Sequence, residues 1–529
     1  MLGSRTSRAA VAISAAVLAV PLLLVGTTSA TPSPGQLGRQ ARPSPGGAGG
    51  GDSYFPLYGN GGYSVRHYRL RLRYSPRTDR LVGVARIEAR AGKRLSSFNL
   101  DLVGMNIRSV AVQGRRARWS RSRHHELTVR PRRALPAGRT FSARIRYGGV
   151  PRPFRLPGFD PAGFLTTGDG ATTIGQPEVA AQWFPVNDHP GDKATYRLRL
   201  TVPRGLDTVS NGLPSTTNVH GRWATTTWVA RDPMASYLVT ASFGRYDVRR
   251  RQTASGLPII DAVDSRIDGA LRRRIDSSLR KQGEMLRAET RWFGPYPFET
   301  AGALVDRIRV SFAMENQTRP IYVPAFWQAT TAPTLGDDVV VHELAHQWYG
   351  DSVALRRWRD IWLNEGFATY AEWLWNQREL GFTPQNFFDN YYARPADANF
   401  WNLRIGNPGS QRIFDLPIYI RGAMTLHALR TRIGDDDFFR VLRRWAQGRR
   451  NGHGTTPQLV RLAERVSGRR SLDRLFDAWL LRGSKPPRPQ SRPAAAFATG
   501  DPAMDPETEA GIRRWERGLR MRLEHEHGR

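Results

Sequence analysis

The sequence His342-Glu-Leu-Ala-His346, followed by Glu365, constrains this chain most, because it requires two helices to meet at one point. Side chains four residues apart lie on the same face of a helix, so both imidazoles can reach one metal ion. The 18 residues between His346 and Glu365 allow the first helix to end and a second to return antiparallel to it. Two histidines and one glutamate leave a fourth position for water, which is the pattern of a catalytic zinc site. The sequence therefore predicts one zinc ion per chain, held by His342, His346 and Glu365.

Two further glutamates belong to the same pattern. Glu343 lies between the two histidines and is free to transfer protons instead of binding metal. Glu372 follows Glu365 by seven residues on the same helix face, where it can accept a hydrogen bond from a zinc-binding imidazole. The alternative for each is an ordinary solvated residue on a helix.

The spacing H-E-x-x-H, 18 residues, N-E-G-F-A-T-Y resembles that of the gluzincin zinc aminopeptidases of the membrane-alanyl-aminopeptidase type. Their upstream G-A-M-E-N signature is similar to Ser311-Phe-Ala-Met-Glu-Asn-Gln317, with Phe312 in place of the glycine. Their Tyr-x-Lys/Arg-Gly signature is similar to Tyr419-Ile-Arg421-Gly422. The resemblance extends from about Tyr54 to Pro487, and it implies a reduced, two-domain form of the family with an open cleft.

The resemblance assigns roles to residues that spacing alone does not identify. It implies that Glu315 binds the free α-ammonium of a peptide, with Ala313 and Met314 beside it in the substrate site. It implies that Tyr419 donates a hydrogen bond to the oxyanion of the reacting carbonyl. Two neighbouring tyrosines, at positions 391 and 392, are rivals for that role.

A second amine-binding residue is expected upstream. The resemblance places it at Gln176, nine residues before Pro185, although the neighbouring Glu178 is a rival and an ordinary loop glutamine is the alternative. Phe312 departs from the family pattern, because glycine there lets the backbone approach substrate closely. We expect phenylalanine to reshape the loop or to narrow the pocket that binds the N-terminal side chain of the substrate. The sequence therefore does not determine which N-terminal residue is preferred.

The first 52 residues are expected to lie outside the fold. Residues 1–30 combine Arg5 and Arg8 with an apolar run from Ala9 to Val25 and small residues at the exit, which predicts a cleaved secretory signal peptide. An uncleaved membrane anchor is the less favoured alternative. Residues 31–52 are rich in Pro and Gly and predict a disordered linker. The chain is therefore expected to be secreted or associated with the cell envelope.

The rest of the chain predicts an α+β protein. Residues 53–252 alternate apolar and polar side chains, as in His67-Tyr-Arg-Leu-Arg-Leu-Arg-Tyr74, and predict a β domain, which the resemblance describes as a saddle-like β-sandwich. Residues 253–487 read mainly as helices and resemble a thermolysin-like catalytic domain. Residues 488–529 are predicted to be a basic, partly disordered tail with a short helix from Glu509 to Leu523.

Composition limits the partners. The formal net charge is +33, and cysteine is absent, so any metal site must use His, Asp or Glu. The arginines are spread along the sequence, which favours compositional bias over a binding patch, with electrostatic contact to an anionic cell envelope as the alternative. No nucleic-acid-binding motif accompanies the charge. The sequence does not determine the oligomeric state.

The leading hypothesis is a secreted zinc aminopeptidase that acts on peptides with a free N-terminus. The alternative from a different class is a catalytically silent, zinc-stabilised protein that binds the envelope. An endopeptidase is a third candidate, disfavoured because an ammonium-binding Glu315 suits exopeptidase action. The joint presence of Glu343, Tyr419 and Glu315 argues against a silent protein, which would gain little from keeping all three.

Overall fold

The N-terminal part of the protein is built from β-strands. The structure, a computed structural model, describes residues 42–122, 125–155, 160–329, 332–490 and 506–524. The predicted signal peptide lies outside these residues. The strands of this part, in chain order, are β1 (Ser44–Pro45), β2 (Gly47–Ala48), β3 (Asn60–Gly61), β4 (Tyr63–Ser75), β5 (Arg80–Ala91), β6 (Leu95–Asp101), β7 (Asn106–Val112), β8 (Arg115–Arg116), β9 (Arg118–Arg121), β10 (Glu126–Arg130), β11 (Thr140–Gly149), β12 (Gly163–Thr166), β13 (Ala171–Ile174), β14 (Ala194–Pro203), β15 (Asp207–Ser210), β16 (Leu213–His220), β17 (Trp223–Met234) and β18 (Ala241–Gly244).

These strands form one large sheet, two four-stranded sheets and the two-stranded sheet β2-β3. The eight-stranded sheet has the order β16-β17-β14-β4-β5-β11-β7-β8, and the four-stranded sheets have the orders β1-β6-β10-β9 and β12-β13-β18-β15. In β4 the predicted alternation is confirmed, because Tyr68, Leu70, Leu72 and Tyr74 are all buried while the arginines between them are exposed. One face of the sheet thus packs on the core and the other faces solvent.

The second part begins with a four-stranded sheet and continues into helices. The sheet has the order β19-β20-β21-β22. Its strands and the two that follow are β19 (Tyr246–Gln252), β20 (Pro258–Asp264), β21 (Ala301–Val305), β22 (Ile321–Tyr322), β23 (Val353–Leu355) and β24 (Gly452–Gly454). The helices are α1 (Gly269–Phe293), α2 (Leu335–Ala345), α3 (Trp362–Leu380), α4 (Pro384–Tyr392), α5 (Leu416–Ile433), α6 (Asp435–Gly448), α7 (Thr456–Ser467), α8 (Asp473–Phe476) and α9 (Pro506–Glu524). The α+β class, a β-rich domain followed by a helical one, is confirmed.

Two sequence-based boundaries change. Residues 31–52 are expected to form a disordered linker. Residues 31–41 lie outside the described part, but β1 and β2 lie within residues 42–52, where β1 pairs with β6 and β2 pairs with β3. Gly46 has backbone neighbours 3.0–3.3 Å from where a Cβ would lie, so small residues allow close chain approach here and do not signal disorder. The domain boundary at 252/253 also falls between β19 and β20, which pair antiparallel, so β19 belongs to the second part.

The C-terminal tail contains a longer helix than expected. α9 runs from Pro506 to Glu524 and buries Ile512, Trp515 and Leu519 on one face. The Glu516 carboxylate accepts a hydrogen bond from Arg394 of the loop after α4 at 2.6 Å. The residues on either side of α9, 491–505 and 525–529, lie outside the described part. Among the described residues, no helix is both long and apolar enough to cross a membrane.

Candidate active site

The predicted metal ligands meet at the end of α2. His342 lies in the last turn of this helix, and His346 caps it, with its backbone N–H donating to the His342 carbonyl oxygen at 3.2 Å. The two rings are buried, with centroids 4.7 Å apart. Glu365 lies in the first turn of α3, which packs against α2. The structure therefore brings the three residues together as the sequence predicts.

The distances between these groups suit a zinc ion. The Oε2 atom of Glu365 lies 3.3 Å from His342 Nε2 and 3.4 Å from His346 Nε2. Zinc bonds of about 2.0–2.1 Å in tetrahedral geometry separate neighbouring ligand atoms by about 3.3–3.4 Å. A direct charge-assisted hydrogen bond would be shorter, at about 2.7–2.9 Å. Two imidazoles and a carboxylate at these separations fit zinc in both chemistry and spacing.

The electrostatics of the site keep the carboxylate ionised. Burial alone would raise the pKa of Glu365, but the adjacent imidazoles of His346 and His342 lower it to about 2. The ligand is therefore a carboxylate at neutral pH, as metal binding requires.

Each predicted zinc-binding imidazole has a hydrogen-bond partner at its other ring nitrogen, Nδ1. His342 Nδ1 lies 2.6 Å from Glu372 Oε1, and His346 Nδ1 lies 3.0 Å from the Tyr349 carbonyl oxygen. Donation from both Nδ1 atoms leaves both Nε2 atoms free of protons and able to bind metal. The structure thus places Glu372 in the orienting position predicted for it.

The orienting carboxylate has a second partner that the sequence did not suggest. The indole Nε1 of Trp515, on α9, donates to Glu372 Oε2 at 2.9 Å. The Trp515 ring packs against Trp373 and Phe387, with centroids 6.4 Å and 5.0 Å away. The tail helix therefore contacts the group that orients His342. The spacing of Ile512, Trp515 and Leu519 on one helical face was a sequence signal for such packing.

Tyr419 reaches the site because two glycines let their helices approach closely. A Cβ at Gly366 of α3 would lie 2.8 Å from both the Cα and the carbonyl carbon of Gly422 in α5. This contact places the first turn of α5 beside the metal ligands, where the Tyr419 ring lies 6.1 Å from the His342 ring, stacked at 28°. The glycines of Asn364-Glu365-Gly366 and Tyr-x-Arg-Gly thus have a packing role.

The arginine of the same motif supports the fold. Arg421 is fully buried and donates to the carbonyl oxygens of Trp401, Leu403 and Trp479 at 2.9, 2.5 and 3.0 Å. It ties α5 to two irregular segments and does not extend into the metal site.

The rings of the two rival tyrosines pack elsewhere. Tyr392 donates its hydroxyl to the Pro486 carbonyl oxygen, and the Tyr391 ring stacks on Phe400. The ring of Tyr419, by contrast, stacks on the ring of the metal ligand His342. The geometry therefore favours Tyr419.

Glu315 lies beside the metal ligands. One carboxylate oxygen of Glu315, one of Glu343 and one ring nitrogen of His346 all lie within 4.8 Å of one another. Burial raises the pKa of Glu315 to about 7, with His346 opposing the shift and the Glu365 and Glu343 carboxylates adding to it. Its Oε1 atom is buried without a hydrogen-bond partner among the described residues. A cationic ligand group would satisfy that oxygen and stabilise its charge.

Gln347 links the Glu315 loop to the metal helix, and sequence reasoning missed it. Its Oε1 accepts the Thr318 backbone N–H at 2.7 Å, while its Nε2 donates to the backbone carbonyl oxygens of Glu315 and Glu343 at 3.2 and 3.4 Å. The side chain is fully buried. Its position directly after His346 was the available signal.

Met314 is held firmly by the fold beside the Glu315 site. Its side chain is fully buried, and its backbone N–H and carbonyl both bond Ile321 at 2.9 Å. Its backbone groups are therefore used within the fold, and the substrate contact expected from the resemblance stays a prediction for its side chain. Ala313 and Phe312 are only partly buried beside it. Ser311 fixes the loop start, with its N–H and hydroxyl bonding Asp160 at 2.7 and 2.6 Å.

Gln176 lines a small pocket together with Asp160, Ser410 and Phe414. Its Oε1 atom is buried with no hydrogen-bond partner among the described residues. The rival Glu178 is fully buried too. Burial raises its pKa, and the neighbouring carboxylates of Asp188, Asp52 and Asp101 raise it further. Asp160, which lines the same pocket as Gln176, also bonds Ser311 at the start of the Glu315 loop.

Two family profiles match the chain. One, described as the peptidase M1 N-terminal domain, matches residues 64–238. The other, described as the peptidase family M1 domain, matches residues 278–479 and so includes every predicted metal ligand.

Curated relatives are aminopeptidases. Human aminopeptidase N is 27% identical over 296 residues, and mouse glutamyl aminopeptidase is 27% identical over 291 residues. Each alignment covers 51% of this chain and 30% of the relative, so the chain spans about a third of the length of these proteins. Probable aminopeptidase 2 of Sulfurisphaera tokodaii is 22% identical over 426 residues, covering 73% of this chain and 50% of the relative.

Solved structures match over more of the chain. An M1 zinc metallopeptidase from Deinococcus radiodurans has 29% identity and a TM-score of 0.74, covering 84% of this chain and 99% of its own. A point mutant of that enzyme is described with a bound Tyr-Ser-Ala substrate, at the same identity and TM-score. A mutant described as a two-domain M1 zinc metallopeptidase bound to L-arginine has 28% identity and a TM-score of 0.73, covering 84% of this chain and 99% of its own.

Proposed function

Because the chain belongs to peptidase family M1, we propose that it is a zinc-dependent aminopeptidase that removes N-terminal residues from peptides. The observation that carries the proposal is the position of Glu315. This buried carboxylate lies within 4.8 Å of a metal-ligand nitrogen and of the Glu343 carboxylate. An anionic group at a short, fixed distance from the metal selects a substrate by its free ammonium group.

The proposed zinc ligands are His342, His346 and Glu365, with one ion per chain. Zinc held there would polarise the scissile carbonyl and acidify water at the open fourth position. Glu372 fixes the His342 ring through the 2.6 Å contact at Nδ1. These four residues would bind the metal or orient its ligands, whereas Glu343, Tyr419, Glu315 and Gln176 would act on the peptide.

Glu343 and Tyr419 are the proposed catalytic residues. Glu343 takes a proton from the attacking water and delivers it to the leaving amine, a task that suits a carboxylate next to the metal ligands. Tyr419 donates its hydroxyl proton as a hydrogen bond to the oxygen that becomes negative when the carbonyl is attacked. Its ring lies against that of His342, which supports this assignment.

Substrate binding is assigned to Glu315 and Gln176. Glu315 pairs with the α-ammonium, and Gln176 accepts a second hydrogen bond from it through the oxygen that has no partner within the described fold. Ala313 and Phe312 line the loop next to the substrate backbone. The relatives with bound Tyr-Ser-Ala and L-arginine support a site open to a single residue and to a short peptide.

Export through the cell membrane is part of the proposal. The basic start, the apolar run and the small-residue exit of residues 1–30 support a cleaved signal peptide. The absence of cysteine means that the folded protein does not depend on disulfides once outside the cell.

The proposal is tested by pairing metal analysis with substrate cleavage. Purified protein is assayed for zinc and for hydrolysis of fluorogenic Tyr, Trp, Arg and Ala amides, each with a free and an N-acetylated amine. The expected result is one zinc per chain and chelator-sensitive cleavage of the free amides only. Equal cleavage of free and acetylated amides would refute the role of Glu315, and cleavage that survives full removal of zinc would refute the metal mechanism.

A further inference from the structure

The arginines that are scattered in the sequence gather on one face of the eight-stranded sheet. In four adjacent strands, eight exposed positions next to buried residues carry arginine: Arg69, Arg71 and Arg73 in β4, Arg86 in β5, Arg144 and Arg146 in β11, and Arg197 and Arg199 in β14. The even spread in the sequence had favoured simple compositional bias, but strand register concentrates these eight side chains on a single surface. We call this surface the arginine face.

The register aligns these side chains in rows. Arg197 lies opposite Arg69, Arg69 opposite Arg86, and Arg86 opposite Arg144, which makes an unbroken row of four across four strands. Neighbouring strands are about 4.8 Å apart, so the row extends about 14 Å. A second row lies two residues further along β4, where Arg199 is opposite Arg71.

The face carries almost no compensating charge. Glu88, on β5, is the one acidic residue among the outward positions of these four strands, and it contacts Arg69 at 3.5 Å. Within the described part of the chain, the other seven arginines of the face form no salt bridge with a carboxylate, although Arg73 packs on the ring of Trp223. Like charges directly opposite each other destabilise a sheet. The arrangement therefore carries a cost in folding stability that a partner of opposite charge would remove.

The shape of the array indicates the class of partner. A two-dimensional grid of cations matches a planar anionic surface better than it matches one extended polymer. The outward positions within the grid have no aromatic side chain on which a base could stack, and Trp223 lies at its edge, whereas sheets that bind single-stranded nucleic acids use such platforms.

We propose that the arginine face docks the protein on a bilayer surface that contains anionic phospholipid. The long side chains reach phosphate groups while the strands stay outside the hydrocarbon, because the face has no large apolar cluster to insert. This inference is independent of the catalytic site, and it would hold for an inactive protein.

The test measures binding of the whole chain to vesicles. One set is phosphatidylcholine alone, and the other is phosphatidylcholine mixed with phosphatidylglycerol. The face variant replaces the first row, with Arg69→Gln, Arg86→Gln, Arg144→Gln and Arg197→Gln. A control with the same net charge carries Arg273→Gln, Arg280→Gln, Arg287→Gln and Arg291→Gln, all at exposed positions of α1.

The expected result is binding to the anionic vesicles alone, weakened by salt and lost several hundredfold in the face variant, at about fivefold for each arginine. The control should keep most of the binding. Equal losses in the two variants would overturn the proposal, because net charge would then explain the binding. The absence of wild-type binding to anionic vesicles would overturn it too.

Two further readings keep the test decisive. Tighter binding to a single-stranded oligonucleotide than to vesicles, lost in the face variant, would make nucleic acid the partner and refute the bilayer. If the four-site variant does not fold, Arg71→Gln with Arg199→Gln removes one opposed pair and should reduce vesicle binding about 25-fold. The same pair variant should unfold at a slightly higher temperature, because it removes a like-charge contact.

Discussion

The contact between Gly366 and Gly422 should be sensitive to a single methyl group. In Gly366→Ala the new Cβ would lie 2.8 Å from the Gly422 Cα and carbonyl carbon. Carbon atoms in contact lie about 3.5–4.0 Å apart, so the clash is close to 1 Å. Both obstructing atoms are backbone atoms, which cannot turn away as a side chain can. The helices α3 and α5 must therefore separate.

The cost follows from two opposing effects. Overpacking of this kind costs about 1–3 kcal/mol, and replacing a helical glycine by alanine returns about 1 kcal/mol, so the free energy of unfolding should fall by up to about 2 kcal/mol. Tyr419 lies in the first turn of α5, three residues before Gly422. A displacement of the phenol by several tenths of an ångström should lower kcat about 10–100-fold, approaching the effect of Tyr419→Phe, which removes the donor and should cost about 10²–10³.

A second glycine provides the control. Gly283 lies within α1, and the nearest atom to an added Cβ is Thr253 Cγ2 at 3.9 Å, an ordinary contact. Gly283→Ala should raise the unfolding free energy by up to about 1 kcal/mol and leave kcat unchanged. Denaturant unfolding and steady-state kinetics on both variants decide the matter. If Gly366→Ala matched Gly283→Ala in stability and in kcat, the helix contact would not position Tyr419.

Three further changes test other parts of the account. Glu315→Gln should lower kcat/KM for amides with a free N-terminus about 10–100-fold and bring it near the value for acetylated amides. If the ratio of kcat/KM for free amides to kcat/KM for acetylated amides were the same as in the wild type, this residue would not bind the ammonium group. Trp515→Phe should weaken zinc binding about tenfold in chelator competition. Trp373→Phe is its matched control, because the Trp373 Nε1 has no hydrogen-bond partner in the described fold, and equal affinities in the two variants would count against the contact with Glu372. Burial, with Arg430 adding to it, lowers the pKa of His427 to about 3, below the usual value of about 6.5, so the unfolded chain binds an extra proton as pH falls between these values. The free energy of unfolding should therefore decline by about 1.4 kcal/mol per pH unit as the pH falls through this range. In His427→Gln, denaturant unfolding at several pH values should show a plot of this free energy against pH that is shallower by that amount. An equal slope in the two proteins would mean that His427 is protonated in the fold.

The metal site could be predicted from the sequence because its geometry is local. His342 and His346 share a helix face through a fixed repeat, and Glu365 needs only one helix reversal to join them. The same holds for β4, where strict alternation identifies the buried face. In each case the sequence period and the structural period coincide.

The features that escaped prediction depend on contacts between distant segments. Trp515 lies 143 positions from Glu372 in the chain, and the intervening sequence contains no pattern that links them. The arginine face depends on the register of β4 with β5 and β14, which brings together arginines that look evenly spread along the sequence. The backbone pairing of Met314 with Ile321 likewise joins two segments that no local sequence pattern connects.

The central claim, that Glu343 moves protons at a zinc site which it does not help to build, is tested most directly by Glu343→Gln. The amide keeps the size of the side chain and removes its basicity, while His342, His346 and Glu365 stay in place. We predict that this variant, assayed for zinc and for cleavage of a free aminoacyl amide, binds zinc as the wild type does and loses at least about 10² in kcat. Turnover near that of the wild type, with zinc bound, would contradict the account.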